Sequence, residues 1–217
     1  SDTQMTINLS GIVILAGGES SRMGSPKALL QLPNSETLLD FHIRHAKNLN
    51  VPVMVADNGK GFCQNKAVKI IDDYLPTDES GKGAGALSAI TGAMGFLQSQ
   101  SLVKANDFVL VVSCDSLLGV DDVLALFKKN PNNESLQSHP VIYAKGEKDF
   151  PLLGLYRVDL MNELTDYLDN GNRSVMKFLA DKKVKTVDLP NDWGKLANFN
   201  TLDEFNIALK FSKITNF

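Results

Sequence analysis

The sequence predicts an α/β fold with three layers, α/β/α, built around a mostly parallel, twisted sheet of the Rossmann-like type. Short runs rich in Val, Ile and Leu alternate with segments of helical periodicity, which is typical of β-α-β units with right-handed crossovers. In the second half the pattern changes, because two strand-like runs are joined by a short loop that contains glycine. We therefore expect an antiparallel excursion in the C-terminal half of the sheet.

The first half of the chain supplies the parallel strands. Its apolar runs are nearly continuous in aliphatic residues, as expected for strands that are covered on both faces. We predict strands at residues 11–15, 51–56, 68–71 and 108–113, and helices at about residues 37–48, 85–99 and 119–129. Parallel strands would bring the loops that follow them to one edge of the sheet.

The second half supplies the excursion and the remaining helices. Residues 141–145 and 150–156 are predicted to pair as a hairpin around the loop at residues 146–149. Helices are expected at about residues 158–169 and 173–181, followed by a strand at residues 184–189. The last helix should begin at Thr201, because Thr201 and Glu204 have the spacing of a capping box. We expect a single domain over residues 1–217, with residues 1–9 as a flexible N-terminal segment.

Composition and charge argue against several classes of protein. The chain of 217 residues carries a net charge of −3, whereas broad nucleic-acid binding usually needs a basic surface. No apolar stretch approaches the roughly 18 residues that span a bilayer, and the N-terminus lacks signal-peptide character. The only cysteines, Cys63 and Cys114, do not form a disulfide framework, and Cys114 is expected to be a buried free thiol. We therefore expect a cytoplasmic protein that contacts neither nucleic acid nor membrane.

A glycine-rich loop follows the first strand and reads LAGGESSRMGSPK over residues 15–27. Its glycines let backbone N–H groups approach phosphates closely, and Arg22 and Lys27 supply opposite charge. It lies at the carboxyl end of a strand, where open α/β sheets bind ligands. It is neither a Walker A loop nor a Rossmann fingerprint, because its glycines and lysine have different spacing. The loop predicts a triphosphate site, and the alternative is a strand-to-helix turn with two surface cations.

Carboxylates follow two other predicted strands. Asp115 comes after the run at residues 108–113, where it would hold a divalent cation such as Mg²⁺ beside phosphate oxygens. The alternative for Asp115 is a turn residue or the N-cap of the next helix. Asp72 and Asp73 follow the run at residues 68–71, where either could accept a hydrogen bond from a base or ribose, or could simply form a turn.

Three further features are less informative. Glycines alternate in GKGAG at residues 81–85, which suits either close approach to a flat ligand or a flexible surface loop. Asn198 and Asn200 would point to one face of an extended segment and could converge on the site, although Asn200 could instead mark a helix entry. His42 and His45 have helical spacing without a nearby third ligand, so we interpret them as part of a solvated helix face.

Together these motifs resemble those of one family. LAGG-x-S-x-RMG-x-x-K is the signature loop of nucleotidyltransferases with a glycosyltransferase-A-like fold, and within that group the chain is similar to the molybdenum cofactor guanylyltransferase (MobA) family. The resemblance covers about residues 11–205 and includes IDD at 71–73, the loop at 81–85, CD at 114–115, GEKDFP at 146–151, NRSVM at 172–176 and NFNTLDE at 198–204. Related cytidylyltransferases usually carry Leu-Ala-Ala-Gly, so the glycine pair here favours guanine.

The resemblance implies transfer of GMP from GTP to Mo-molybdopterin with release of pyrophosphate, and it implies Mg²⁺ as cofactor with Mn²⁺ as its substitute. The implied nucleotide-binding residues are Leu15, Ala16, Gly17, Gly18, Lys27, Asp73, Gly85 and Asp115. The implied catalytic residues are Arg22, Lys27, Asp115, Asn198 and Asn200, with Asp115 as metal ligand. Further implied partners are a molybdenum insertion protein, a GTP-binding accessory protein and the apo-molybdoenzymes that receive the product.

The chain departs from the family pattern in three places. Ala56 replaces an asparagine that often ends the second strand, and Asn58 stands two residues further on. Lys82 lies in a loop where the family commonly has Gly-Pro-Leu-x-Gly, which predicts a more mobile loop with an added cation. Leu117 replaces a proline that usually stands two residues after the metal aspartate. Other functions stay open: another phosphate acceptor, CTP as donor, or a docking protein that binds GTP without catalysis.

Overall fold

The computed structural model describes residues 7–18, 23–101, 103–104, 106–129 and 135–215. Its strands are β1 (Leu9–Leu15), β2 (Val53–Ala56), β3 (Lys69–Ile70), β4 (Phe108–Ser113), β5 (Val141–Lys145), β6 (Asp149–Arg157) and β7 (Lys185–Asp188). Its helices are α1 (Leu38–Lys47), α2 (Ala86–Ser99), α3 (Val120–Lys128), α4 (Met161–Asp169), α5 (Val175–Leu179) and α6 (Leu202–Thr215), and short 3₁₀ helices lie at Lys27–Leu29, Leu136–Ser138, Val158–Leu160 and Asn191–Trp193. Within these ranges, none of the helices is long and apolar enough to cross a membrane.

The described residues form one mixed sheet of seven strands in the order β3-β2-β1-β4-β6-β5-β7. β1 pairs in parallel with β2 and with β4, and β3 pairs in parallel with β2. β6 runs antiparallel between β4 and β5, and β7 pairs in parallel with β5. The predicted fold class, a mostly parallel sheet with an antiparallel excursion in the second half, is confirmed.

Helices cover both faces of the sheet, so each inner strand contributes side chains to two cores. Along β1, Ile12 and Ile14 pack into the core that contains residues of α1, α3 and α6, whereas Val13 packs into the core that contains residues of α2, α4 and α5. The side chains of β4 alternate in the same way between the two cores. Burial on both faces explains why these strands are apolar at nearly every position.

β3 differs from the buried strand that the sequence predicts at residues 68–71. It is the edge strand, it contains only Lys69 and Ile70, and both side chains are exposed. Val68 and Ile71 are buried, but they lie just outside the paired residues. The prediction of a strand covered on both faces is wrong here, because an apolar run can be buried by its flanking residues alone.

The N-terminal segment that the sequence predicts as flexible is described only in part. Ile7 is buried, and the carbonyl oxygen of Asn8 accepts a hydrogen bond from the N–H of Phe108 at 2.8 Å. Residues 7–9 therefore lead directly into the sheet. Residues 1–6 of the segment lie outside the described residues.

Thr201 caps α6 as the sequence predicts, with one difference from the usual capping box. Thr201 Oγ1 accepts a hydrogen bond from the N–H of Glu204 at 3.1 Å. In return, Glu204 Oε2 accepts from the N–H of Asn200 at 2.9 Å, one residue before the expected position. The cap therefore also fixes the backbone of Asn200.

Candidate functional site

A cavity of about 490 Å³ lies at the carboxyl ends of β1, β2 and β4. Its volume is within the range of pockets that bind small molecules and cofactors. The residues that the sequence predicts for nucleotide binding all line it: Leu15, Ala16, Gly17, Gly18, Lys27, Asp73, Gly85 and Asp115. The site lies where open α/β sheets bind their ligands.

Backbone hydrogen bonds hold the start of the glycine-rich loop between two neighbouring strands. The N–H of Ala16 donates to the carbonyl oxygen of Ala56 at 2.8 Å, and the N–H of Cys114 donates to that of Leu15 at 3.1 Å. Cys114 is a buried free thiol, as predicted, and burial raises its pKa. The loop therefore leaves the sheet with the end of β2 on one side and the end of β4 on the other.

Three polar residues from distant segments meet beside this cavity. Lys27, at the start of a 3₁₀ helix, lies with Nζ 3.1 Å from Asn200 Oδ1 and 4.0 Å from Asp115 Oδ2. The Lys27 side chain is only 16% exposed, which keeps its charge close to these groups. This part of the cavity can therefore bind an anion through Lys27 and a cation through Asp115.

Asp115 lies in the turn after β4, which is one of its two alternative roles, and it does not cap the next helix. The N-cap of α3 is Gly119, so the alternative role for Asp115 at that helix does not apply. Burial raises the pKa of Asp115, while the Lys27 ammonium and a hydrogen bond from Ser113 oppose that rise. A carboxylate oxygen beside a phosphate site is the kind of ligand that Mg²⁺ prefers. The residues present therefore fit a divalent cation held by Asp115.

Asn198 is brought close to Asp115 by backbone pairing. The N–H of Phe199 donates to the carbonyl oxygen of Asp115 at 2.9 Å, and the N–H of Leu117 donates to that of Leu196 at 2.8 Å. Phe199 between the two asparagines is buried, whereas Asn198 is half-buried, as expected for alternating residues of an extended segment.

The two predicted asparagines serve different parts of the site. Asn198 lines a smaller cavity of about 150 Å³, which shares Ser113 and Asp115 with the larger one, and Asn200 contacts Lys27. Among the described residues, the buried Oδ1 of Asn198 has no hydrogen-bond partner. Arg22, the remaining predicted catalytic residue, lies outside the described residues.

Asp73 contributes a carboxylate to the wall of the large cavity. Burial is the main cause that raises the pKa of Asp73 to about 6, and the neighbouring Asp72 carboxylate adds to the rise. A ligand that donates a hydrogen bond to this carboxylate would stabilise its charged form. Its position therefore suits the contact with a base or ribose that the sequence suggests.

The loop that carries Lys82 is held by a carboxylate instead of a proline. The N–H of Asp78 donates to the carbonyl oxygen of Lys82 at 2.8 Å, and Asp78 Oδ1 accepts from the N–H of Lys82 at 2.9 Å and from that of Ser80 at 2.9 Å. Ser80, Lys82 and Gly83 all line the cavity. Hydrogen bonds of Asp78 hold this turn, and the greater mobility that the missing proline predicts stays a prediction.

The segment after β2 carries residues whose roles sequence analysis left unassigned. Asp57 is 1% exposed, and its carboxylate accepts hydrogen bonds from the N–H groups of Gly59, Gly61 and Phe62 at 3.0, 3.1 and 3.1 Å. The adjacent Asn58 lines the cavity. The Asp-Asn-Gly sequence was a turn signal that could have indicated this ordered loop.

The interpretation of His42 and His45 as a solvated helix face is wrong. His42 is fully buried, with Nε2 2.8 Å from the carbonyl oxygen of Ser116, and burial lowers its pKa to about 4. His45 Nδ1 lies 2.7 Å from Asp121 Oδ1, and these two residues with Asp122 form a group that could hold a metal ion. His42 joins α1 to the segment after β4 and His45 joins α1 to α3, and neither histidine is among the described residues that line the large cavity.

The fold and the site define a class: an α/β protein with a cavity of about 490 Å³ at the carboxyl ends of its parallel strands. The profile of the MobA-like NTP transferase domain matches residues 12–185 of the chain. The molybdenum cofactor guanylyltransferase of Haemophilus influenzae is 27% identical over 202 residues, which are 92% of this chain and 97% of that protein. Its counterpart in Histophilus somni is 30% identical over 196 residues, which are 88% and 92% of the two chains.

A solved structure shares the fold. The molybdopterin-guanine dinucleotide biosynthesis protein A of Archaeoglobus fulgidus superposes with a TM-score of 0.70 at 18% identity, over 94% of this chain and 99% of that one. The chain belongs to the family of MobA-like NTP transferase domains, and it is a nucleotidyltransferase.

Proposed function

We propose that this protein transfers GMP from GTP to the terminal phosphate of Mo-molybdopterin, forming the guanine dinucleotide cofactor and releasing pyrophosphate. The observation that carries the proposal is the meeting of Lys27, Asp115 and Asn200 beside a cavity of nucleotide size. The names of the Haemophilus influenzae and Histophilus somni relatives support the same reaction.

The proposal places the triphosphate of GTP between the glycine-rich loop and Lys27. Backbone N–H groups around Gly17 and Gly18 would bind phosphate oxygens, and the ammonium of Lys27 would offset their charge. A divalent cation held by Asp115 would supply further charge neutralisation at the phosphates. Arg22 is proposed as an additional partner of the pyrophosphate.

The acceptor is proposed to enter through the smaller cavity. That cavity shares Asp115 with the larger one, so an acceptor phosphate there would lie next to the nucleotide phosphates. Asn198 Oδ1 would orient the acceptor molecule by accepting a hydrogen bond from one of its N–H groups, and Asn200 would hold Lys27 in position.

The chemistry requires positioning more than a strong base. An oxygen of the acceptor phosphate forms a bond to the α-phosphorus of GTP, and the bond from that phosphorus to the bridging oxygen of the β-phosphate breaks. Pyrophosphate leaves with that bridging oxygen, and the acceptor phosphate needs no proton removed because it is already an anion. Alignment and electrostatic stabilisation then account for most of the catalysis.

The remaining partners follow from the same proposal. A molybdenum insertion protein would supply the acceptor, and apo-molybdoenzymes would receive the product, with a GTP-binding accessory protein assisting. We place the reaction in the cytoplasm.

Pyrophosphate release from GTP, CTP, UTP and ATP tests the proposal, with Mo-molybdopterin and with other phosphorylated acceptors supplied in turn. We expect release with GTP and Mo-molybdopterin to exceed every other combination, and to stop when chelator removes Mg²⁺. Greater pyrophosphate release with CTP, or with another acceptor, would indicate a different transferase activity. Binding of GTP without transfer to any acceptor would instead indicate a docking protein.

A further inference from the structure

The turn after β4 is buried around the carboxylate of Asp115. Cys114, Ser116 and Leu117 are at most 3% exposed. The side chain of Asp115 is 30% exposed and lines both cavities. The backbone of Asp115 and of Leu117 is bonded to the segment before α6, whereas the carbonyl of Ser116 between them is bonded to a different element. The group that holds this carbonyl therefore helps to fix where the carboxylate lies.

The carbonyl of Ser116 is held by His42 on α1. The imidazole Nε2 lies 2.8 Å from the carbonyl oxygen, and Nε2 carries the proton because a carbonyl only accepts. His42 is 0% exposed, as are Leu38 and Leu39 one turn earlier on the helix. The ring of Phe41 packs edge-on against the imidazole, with centroids 5.1 Å apart. The imidazole therefore links the helix to the turn in one orientation.

The second nitrogen of the imidazole gains nothing from its burial. Nδ1 is buried, and it has no hydrogen-bond partner among the described residues. A buried polar atom without a partner destabilises the folded state, and an apolar side chain at this position would avoid that cost. The hydrogen bond to Ser116 is therefore what His42 provides and an apolar residue would not.

Loss of this hydrogen bond would displace the turn. The carbonyl of Ser116 would be left buried without its donor, so the chain would shift until the carbonyl meets water or another donor. Ser116 is adjacent to Asp115 in the chain, so the shift would also move the carboxylate that lies 4.0 Å from Lys27 Nζ. Mg²⁺ demands a near-ideal octahedral geometry, so a small displacement of a ligand weakens its binding.

We propose that His42 is a positioning residue for the cation site, because its hydrogen bond to Ser116 holds the turn that presents Asp115 to the cation. His42 contacts neither the substrate nor the cation and acts only through Asp115. This inference rests on the proposed function, since it requires a divalent cation held by Asp115 while GTP is bound. A histidine that only stabilised the fold would affect GTP binding with or without the Asp115 carboxylate.

Equilibrium binding of GTP in Mg²⁺, measured by calorimetry in a double-mutant cycle, tests this role. The cycle compares the wild type, His42→Met, Asp115→Asn and the double variant, and methionine provides an apolar side chain without a donor. We expect His42→Met to weaken GTP binding by about 10-fold in the wild-type background and to change it little when Asp115 is already replaced. His42→Gln should bind GTP like the wild type, because its amide nitrogen can donate in place of Nε2.

His139→Met is the matched control. His139 is also buried, with Nδ1 3.0 Å from the carbonyl oxygen of Lys183, and it is not among the described residues that line either cavity. Its replacement should therefore leave GTP binding at the wild-type value. Thermal unfolding checks that each variant folds. Should His42→Met not fold, His42→Asn takes its place, because its shorter amide cannot reach the carbonyl of Ser116.

The outcomes separate this inference from the proposed function. If the His42 variant weakens GTP binding equally in both backgrounds, or not at all in the wild-type background, the inference is overturned. A His42→Gln variant that binds GTP as weakly as His42→Met would also overturn it. If Asp115→Asn binds GTP in Mg²⁺ as tightly as the wild type does, Asp115 holds no cation for GTP and the proposed function itself is contradicted.

Discussion

Lys27 is the residue on which the proposed site depends most, because it connects segments far apart in the chain. Its ammonium lies 3.1 Å from Asn200 Oδ1 and 4.0 Å from Asp115 Oδ2. In the proposed reaction it holds phosphate oxygens whose negative charge shifts as pyrophosphate departs. Such a preorganised charge is typically worth more in the transition state than in the ground state.

Lys27→Ala should therefore lower the rate of GMP transfer by about 10²–10³-fold. Steady-state kinetics with GTP and Mo-molybdopterin measure this loss, and thermal unfolding checks that the variant folds. Lys66→Ala is the matched control, because Lys66 is exposed and is not among the residues that line the cavity. Near-wild-type turnover of Lys27→Ala would contradict the proposed role.

The sequence indicates most individual site residues but not their contacts. Glycines and charged residues in the loops that follow strands predicted Gly17, Lys27, Asp73 and Asp115, which line one cavity. The hydrogen bond from Asn58 Nδ2 to the carbonyl oxygen of Gly17 could not be predicted, since it depends on how two loops from neighbouring strands approach each other. The capping box predicted the start of α6, but not that Glu204 would accept a hydrogen bond from the N–H of Asn200.

At the scale of elements, α1 contains a group that makes stability depend on pH. His42 is fully buried on α1 and its Nε2 donates to the carbonyl oxygen of Ser116 at 2.8 Å, which also ties α1 to the segment after β4. Burial lowers the pKa of His42 to about 4, whereas the unfolded chain has an ordinary value of 6.5. Because the folded state resists protonation, this contribution to stability is fully present above pH 6.5 and is lost as the pH falls toward 4.

The His42→Gln variant keeps a hydrogen-bond donor but cannot titrate. We expect the wild-type free energy of unfolding to fall by up to about 3 kcal/mol more than that of the variant between pH 7.5 and pH 4. Urea unfolding at several pH values measures the difference. The gap between the free energies of unfolding of the two proteins at pH 7.5 accounts for any packing that the substitution loses. Parallel pH profiles for the two proteins would contradict the assigned protonation behaviour.

The sequence predicts the type of an element where the whole element is buried and is therefore apolar along its length. β1 and β4 are apolar on both faces because both faces are covered, and the β5–β6 hairpin follows from its glycine-containing loop. β3 was not predictable, because its burial comes from Val68 and Ile71 on either side of an exposed pair. The burial of His42 was not predictable either, since it depends on the packing of α1 against Ser116.

At the scale of the molecule, the sheet order explains how distant segments form one site. Parallel strands β2, β1 and β4 place three loops at one edge, and the pairing of residues 196–199 with residues 115–117 adds the asparagines. The sequence predicted the edge because all parallel strands share it. It could not predict a separate small cavity beside Asp115, because that space is bounded by β6 and by the segment before α6.

Transfer of isotope from labelled GTP tests the central claim most directly. With Mo-molybdopterin and Mg²⁺ present, label in the α-phosphate should appear in the molybdopterin dinucleotide, and label in the γ-phosphate should appear in pyrophosphate. Chromatography of the products should show equal amounts of dinucleotide and pyrophosphate. Recovery of the α-label only in GDP or GMP, with none joined to molybdopterin, would contradict the proposed guanylyl transfer.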